Sequence, residues 1–427
     1  MKLTVWLNNL VIIGTLIVCL ETPANAQQEA TLTLAEAQKK AAINYPLAKQ
    51  KDIIRQTEKI IINNLLRAYL PQLSFNAQGT YQSEVTQVEV PIPGIRINAP
   101  DKDQYRATAD VNQLLFDGGS TEQQRKFQHL SAETEAQRNE VELYKTKERV
   151  NQTYLSILFL NEQLQQINLV KKDLEIGLAK LKAQVANGIA FKSNLDVLQA
   201  EYLKANQRQT EVRWSKEGLL ETLGLLMGED VPAATQLKTP VEPAISEEVQ
   251  RPELTLFNKQ LNLSQQQSKI ITARNLPKIS LFGQGGYGKP GLNVLKNEFD
   301  WFYLAGLRLN WNIANLYTAK GERKVLDLNK QSIEVQREVF LLNTKTQQRQ
   351  QVSEIKKYRQ LIEADKEILE LRQRVKTAAK AQLENGVITA NDYLREINAE
   401  DQARQTESAH QLQLLQAQIN YQNITGK

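Results

Sequence analysis

The chain of 427 residues is poor in the side chains that usually build reactive sites: one cysteine, two histidines, 6% aromatics, 12 prolines and 19 glycines. A single cysteine rules out a disulfide scaffold and any cysteine-built zinc or iron–sulfur centre. His129 and His410 lie too far apart in sequence to suggest a histidine metal cluster and read as solvated helix-face residues. Walker, GxSxG and HExxH patterns are all missing. No constellation supports an enzyme, and nothing calls for a cofactor. The 53 Lys+Arg against 48 Asp+Glu leave a net charge of only +5, of mixed sign along the chain, which argues against a nucleic-acid footprint.

What is abundant instead is Gln, Asn, Leu, Ala, Lys and Glu. Helix formers in such excess point to long helices rather than to the two to four compact domains that this length would ordinarily suggest. At the N-terminus Lys2 precedes an apolar run, Val11 to Leu20, and Pro23-Ala24-Asn25-Ala26 precede Gln27. A basic start, a short apolar core and an A-x-A site predict a secretory signal peptide over 1–26. The run is short for a retained anchor, and Ile17 and Val18 are poor neighbours for lipidation at Cys19. No later run is apolar enough for a transmembrane helix.

The remainder is a tandem repeat. Leu70-Pro71-Gln72-Leu73-Ser74-Phe75 recurs as Leu276-Pro277-Lys278-Ile279-Ser280-Leu281, and Pro46 recurs as Pro252 at the same offset. Asn187-Gly188-Ile189 recurs as Asn385-Gly386-Val387 at a slightly smaller offset, so the first copy holds the longer loop, over 82–104 against 289–300. The expected organisation is a first repeat over 27–228, an inter-repeat segment over 229–251 and a second repeat over 252–427.

Each copy opens with a helical leg (33–68, then 252–275) and continues into two alternating segments. Leu73, Phe75, Ala77, Gly79 and Tyr81 are separated by Gln72, Ser74, Asn76, Gln78 and Thr80; Tyr105 to Asn112 alternate likewise. Ile279 to Tyr287 and Trp301 to Trp311 repeat the pattern. Period two predicts strands of about 9–11 residues, long enough to cross a bilayer core when tilted. The aromatics Tyr81, Tyr105, Tyr287, Phe299, Trp301, Tyr303 and Trp311 suit either a sandwich core or interfacial girdles.

The next segment favours the membrane. Between Ser120 and Ala186 there is no proline and only Gly177, so the helix predicted there would run on the order of 100 Å. Leu160, Leu164, Ile167, Leu174, Leu178, Leu181 and Val185 form a heptad seam, and Leu361, Ala364, Ile368, Leu371, Val375 and Ala378 form its counterpart in copy two. The partners are expected to be return helices over 190–227 and 390–423, reversed at Asn187-Gly188 and Asn385-Gly386. Trp214 reads as helix packing. Four strands cannot close a barrel, and an open edge in lipid leaves backbone groups unsatisfied. Several chains must therefore share one cylinder, with Gln78, Thr80, Arg106, Thr108, Asp110, Arg308 and Asn310 facing water inside it.

At this point the residues resemble a known family. Leu32-Thr33-Leu34-Ala35-Glu36-Ala37 with Asn44-Tyr45-Pro46 is similar to the "LTLxEA…NP" opening of the TolC-like outer-membrane efflux proteins, and Leu115-Phe116-Asp117-Gly118-Gly119 to their "LFDGG" strand-to-helix exit. The resemblance covers about 30–424. It implies a mainly helical fold with a small membrane β part: a homotrimer whose four strands per chain make a 12-stranded outer-membrane barrel upon a periplasmic α-barrel. It also implies, as partners, outer-membrane lipid, a periplasmic membrane-fusion adaptor and an inner-membrane pump of the resistance-nodulation-division or ABC type. Adaptor contact then falls on Asn187, Gly188, Ile189, Asn385, Gly386 and Val387. The periplasmic constriction falls on Asp392, with Asn194 and Arg395 where some members carry further acids, so a single ring of carboxylates fits better than a doubled one. Asp392 beside a turn also suits a helix cap, and Asp117-Gly118-Gly119 a plain strand–helix turn. In copy two Ile313-Ala314-Asn315-Leu316 stands at that junction and is expected to bend differently.

The function implied is a passive exit duct for small molecules in a tripartite efflux system. The outer-membrane exit of a type I protein-secretion system uses the same duct. A soluble periplasmic coiled-coil scaffold is the alternative of another class.

Overall fold

The computed structural model describes residues 31–87, 99–242 and 247–426. The expected signal peptide and Pro91 to Gly94 of the longer loop lie outside the described residues. In chain order the elements are β1 (Thr31–Leu32), α1 (Leu34–Asn44), α2 (Gln50–Leu66), β2 (Gln72–Tyr81), β3 (Asp103–Phe116), α3 (Ser120–Ala186) and α4 (Lys192–Met227). There follow β4 (Gln236–Leu237), α5 (Pro252–Arg274), β5 (Lys278–Lys289), β6 (Asp300–Asn310), α6 (Asn315–Glu384) and α7 (Ala390–Thr425). Short 3₁₀ turns join α1 to α2 and α2 to β2. The mainly helical class with a small β part, expected from composition and period, is what the chain adopts.

Local chemistry sets the boundaries. Thr33 and Glu36 form a reciprocal capping box at α1, with the Glu36 amide donating to Thr33 Oγ1 at 3.2 Å and the Thr33 amide to Glu36 Oε2 at 2.9 Å. Pro252 begins α5, where its missing N–H costs nothing. Both long helices end at a glycine of positive φ: Gly188 (70°) and Gly386 (69°). At each end two amides return to the last turn, Ile189 to the Gln184 carbonyl (2.8 Å) and Val387 to that of Gln382 (2.9 Å), the 6→1 bonds of a Schellman stop.

The strands form one antiparallel sheet in the order β2-β3-β5-β6, and α2, α3, α5 and α6 pack side by side in the same order, so each strand continues into or out of its own helix. Farther from the sheet, α4 returns along α3 and α7 along α6, with α7 also touching α3. The densest core lies where the short parallel pair β1–β4 crosses the bundle, around Tyr154, Ile157, Leu223 and Met227. There the Tyr154 hydroxyl donates to the Leu32 carbonyl at 2.7 Å and lies 2.8 Å from that of Lys238.

Three expectations need correction. The strands are 10, 14, 12 and 11 residues long. β5 exceeds the expected range by one residue, and β3 by three, because a bulge between Leu114 and Phe116 lets its pairing continue past the alternating stretch. Second, the seam Leu361, Ile368, Leu371 and Val375 does not face α7: it stays exposed, while Ile355, Ile362, Leu369 and Leu383, at heptad spacing, are buried. Both stripes have the right period, and periodicity alone cannot say which one meets which partner. Third, His410 is not a solvated face residue. It is half-buried, with Nδ1 2.5 Å from Asp365 across the α6–α7 hairpin.

Candidate functional site

The sheet presents two chemically distinct faces. One carries Leu73, Phe75, Val111, Ile279, Leu281, Tyr287, Trp301, Tyr303, Leu307 and Leu309, all exposed, with Phe75 at 77% and Tyr303 at 83%. A run of about ten residues at roughly 3.4 Å per residue, tilted about 40°, spans about 25 Å, the height of the lipid-facing band of an outer-membrane barrel. In register, Ala107, Tyr287 and Trp301 share a rung near the loop end, with Gly79, Tyr105 and Lys289 on the next. Phe299 stacks on Tyr105 and Tyr287, and Tyr287 leans on Trp301. Tyr81 is farther out still, opposite Asp103. Tyr303 stands one rung deeper than this cluster, beside Gly285. Trp311 lies at the other end, where its indole donates to the Asn275 carbonyl at 3.0 Å.

The opposite face is polar in the first hairpin. Asp110 gathers it: its carboxylate accepts from Asn76 (2.7 Å), Thr108 (3.0 Å) and Gln284 (2.5 Å), tying β2, β3 and β5 together. Gln78 pairs in register with Arg106, and Thr80 with Gln104; Arg308 and Asn310 share this face on β6. The second hairpin departs from the expected polar wall, because Phe282, Phe302 and Leu304 point to the same side as Asp110. Each phenylalanine lies opposite a glycine, Phe302 against Gly286 and Phe282 against Gly306. A Cβ added at those glycines would sit 2.6 Å from Phe302 and 3.1 Å from Phe282. The missing side chains of Gly286 and Gly306 are what lets the rings lie across the strands, a relation that period two along one strand does not reveal.

At the exit of β3, Gly118 and Gly119 take φ of 72° and 76°. Gly118 also abuts α5, since a Cβ there would be 2.6 Å from Leu276 Cβ and 2.8 Å from the Ala273 carbonyl. The buried Asp117 carboxylate accepts from the amides of Gly119 (2.8 Å) and Thr121 (2.6 Å), serving as the side-chain cap of α3. Burial pushes its pKa upward, but the bonds from Thr121, Tyr69 and Gly119 prevail and hold it below the usual carboxylate range. Phe116 is exposed just before the turn. The second junction does bend differently: Ala314 is right-handed (φ −60°, ψ −28°), and the Leu316 and Tyr317 amides bond back to Ile313 and Ala314.

At the far end of the bundle, Asn187 and Asn385 cap the outgoing helices, and Ile189 (73% exposed) and Val387 (70%) project from the two turns. Phe191, which sequence reasoning passed over, is exposed beside the first. Asp392 is the third residue of α7 and completes a capping box with Thr389, whose hydroxyl donates to it at 2.7 Å. That bond, the Thr389 amide and nearby Arg395 hold its pKa below the usual value. The structure brings Asp392 and Arg395 together (3.9 Å), with Arg395 also 3.3 Å from Glu396. Asn194 is on the other hairpin, its amide bonded to the Phe191 carbonyl at 3.1 Å. Sequence reasoning also missed the ion pairs between the hairpins: Lys376 meets Asp173 (3.0 Å) and Lys180 meets Glu384. Opposite charges separated by about one repeat length were the available signal. Among the described residues no group of three or more His, Cys, Asp or Glu side chains could hold a metal, and no helix is long and apolar enough to cross a membrane.

The family model for outer membrane efflux protein matches residues 65–228. No curated protein matches the chain in sequence. Among solved structures, the Campylobacter jejuni CmeC outer membrane channel is similar over 92% of this chain and 85% of its own, with a TM-score of 0.65 at 14% identity. The Vibrio cholerae outer membrane protein VceC matches over 92% and 96% (TM-score 0.64, 14% identity). The Neisseria gonorrhoeae MtrE outer membrane channel, in its open state, matches over 92% and 88% (0.65, 15%). The chain thus has the fold of these outer membrane channels, and its residues 65–228 match the outer membrane efflux protein model.

Proposed function

We propose that this chain is one third of a homotrimeric duct, a 12-stranded barrel in the outer membrane continued by an α-barrel through the periplasm. It carries small molecules delivered by an inner-membrane pump and a periplasmic adaptor. The observation that carries the reading is the pair of free edges. The sheet ends at β2 and β6 with unpaired backbone, and its exposed apolar face suits lipid, where such edges are intolerable. The helices end in the same way. Val325, Leu328, Val335, Val339 and Leu342 make an exposed heptad seam on α6, and Ile53 and Ile60 are exposed seven residues apart on α2 at the other edge. Joining α6 and β6 of one copy to α2 and β2 of the next is a head-to-tail contact that closes into a ring. Three four-stranded sheets make twelve strands, enough to enclose an aqueous bore, whereas two make eight and fill their own interior.

The exposed apolar face weighs against a soluble scaffold. The same cylinder serves small-molecule efflux and protein secretion, and the family match favours efflux. Adaptor contact belongs to the two glycine turns, where Ile189 and Val387 offer apolar side chains held by rigid stops. Asp392 is proposed as the constriction residue, carried at the start of α7 by its cap. The test is fractionation of a producing Gram-negative host followed by an unboiled gel. An outer-membrane, detergent-extracted trimer that dissociates on boiling is the expected result. A soluble monomer ends the reading.

A further inference from the structure

The face of the sheet that carries Asp110 also carries two arginines seated on the inward phenylalanines. The Arg106 guanidinium lies 5.5 Å from the centre of the Phe302 ring, and that of Arg308 4.6 Å from the centre of Phe282. Both are within cation–π reach. Phe302 is itself pinned over Gly286 and against Thr108, so it is only 8% exposed although its neighbours on β6 stand free. Each arginine is therefore a fixed cation on a rigid plate rather than a swinging side chain, and such a plate occupies the ring-facing side of the guanidinium while leaving its edge N–H groups free to bind.

Among the described residues no carboxylate forms an ion pair with either arginine. Asp110 spends its oxygens on Asn76, Thr108 and Gln284, and Asp300 pairs with Lys296 at 3.1 Å beside the loop. Among the described residues neither Arg106 nor Arg308 has an ion-pair partner. In register Arg106 stands beside Gly288 and Arg308 beside Ser280, eight residues apart along β5, or about 27 Å at roughly 3.4 Å per residue. One cation thus lies toward the loop end of the sheet and the other toward the helical end.

We infer that Arg106 and Arg308, held on Phe302 and Phe282, make the barrel bore selective for anions, and that cargo bearing carboxylate, phosphate or sulfate groups passes it preferentially. Repeated around a ring, they form two belts of guanidinium groups whose planar forks match such oxyanions. The inference rests on the duct reading, since only closure of the sheet turns this face into a bore.

The experiment uses the purified full-length trimer in planar bilayers, with inositol hexakisphosphate added to the side of the β2–β3 and β5–β6 loops. The native current is expected to be blocked, and R106Q/R308Q to need at least about tenfold more polyanion for the same block, the equivalent of losing one charge-assisted hydrogen bond. R106K/R308K keeps the charge and is expected to keep most of the block. Single substitutions serve where the double variant does not assemble. A native current indifferent to the polyanion overturns the inference, as does equal block of native and R106Q/R308Q, or a lysine pair that behaves like the glutamine pair. No conductance from any of these proteins is a different failure, that of the duct reading itself.

Discussion

α3 and α6 are matched rods, 67 and 70 residues long, each leaving a strand and ending at an Asn-Gly turn. Their surroundings differ. α3 is flanked by α1, α2, α4, α5 and α7, and buries residues along most of its length, Tyr154 and Ile157 completely. α6 packs mainly on α5 and α7, meets α3 only near its tip, and shows exposed apolar residues over Val325 to Leu342 and again over Leu361 to Val375. One helix is the spine of the chain and the other is its edge. The lesson is that an apolar heptad in a single chain need not find its partner there; in the proposed duct, the unpaired stripe on α6 is where the next copy would pack.

The largest effect should come from charging that edge. V335D/L342D is expected to abolish the trimer on an unboiled gel while leaving helix content by circular dichroism unchanged, because both positions are exposed in the single chain. A variant that still assembles removes the distinction between spine and edge. On the spine, Tyr154→Ala should cost the chain about 3–5 kcal/mol in denaturant unfolding, through lost packing and the lost hydroxyl contacts to the main chain, whereas Leu342→Ala on α6 should stay within about 0.5 kcal/mol for the unassembled chain.

The two strand–helix junctions extend the comparison at smaller scale. Gly118→Ala combines a left-handed φ with contact against Leu276 and should cost about 2–4 kcal/mol, seen as a lower Tm. Gly119→Ala meets open space and should cost only about 1–2 kcal/mol, from φ alone. Equal losses would show that the α5 contact is immaterial. A comparably small effect is expected at Asp117. Its folded pKa lies below the unfolded value, so its contribution is complete above the ordinary carboxylate range and is lost as pH falls through the folded pKa. Asp117→Asn should cost about 1–2 kcal/mol of stability at neutral pH, seen as a lower Tm, and flatten the acid limb of a Tm–pH curve. A native curve already flat below pH 5 would deny the carboxylate this role.

Much of this architecture is legible in the residues. Proline-free stretches and Asn-Gly pairs place α3, α6 and their turns within a few positions, because helix continuation and positive φ are local demands. Strand alternation is equally local, and so are the exposed aromatics at the ends of the sheet. What escaped depends on pairing between distant segments. Phe282 and Phe302 look like breaks in an alternating pattern until Gly306 and Gly286 are seen opposite them. His410 looks solvated until the hairpin register brings Asp365 beside it. The two stripes of α6 are equivalent in sequence and are told apart only by which one α7 covers. Asp392 is in the same position: its spacing from Gly386 is plain in the chain, yet its capping bond to Thr389 says nothing of what lies across a bore.

The glycine–phenylalanine pairs occur in one hairpin only; the register positions matching Phe282 and Phe302 in the other are held by Asn76 and Gln104. Around the proposed ring, aromatic sectors would alternate with amide-rich ones, three of each kind. A cylinder assembled from six identical half-size subunits could not be patterned in this way, because every change would appear in all six places. Joining two hairpins in one polypeptide lets selection tune the wetting of alternate sectors separately without altering the diameter.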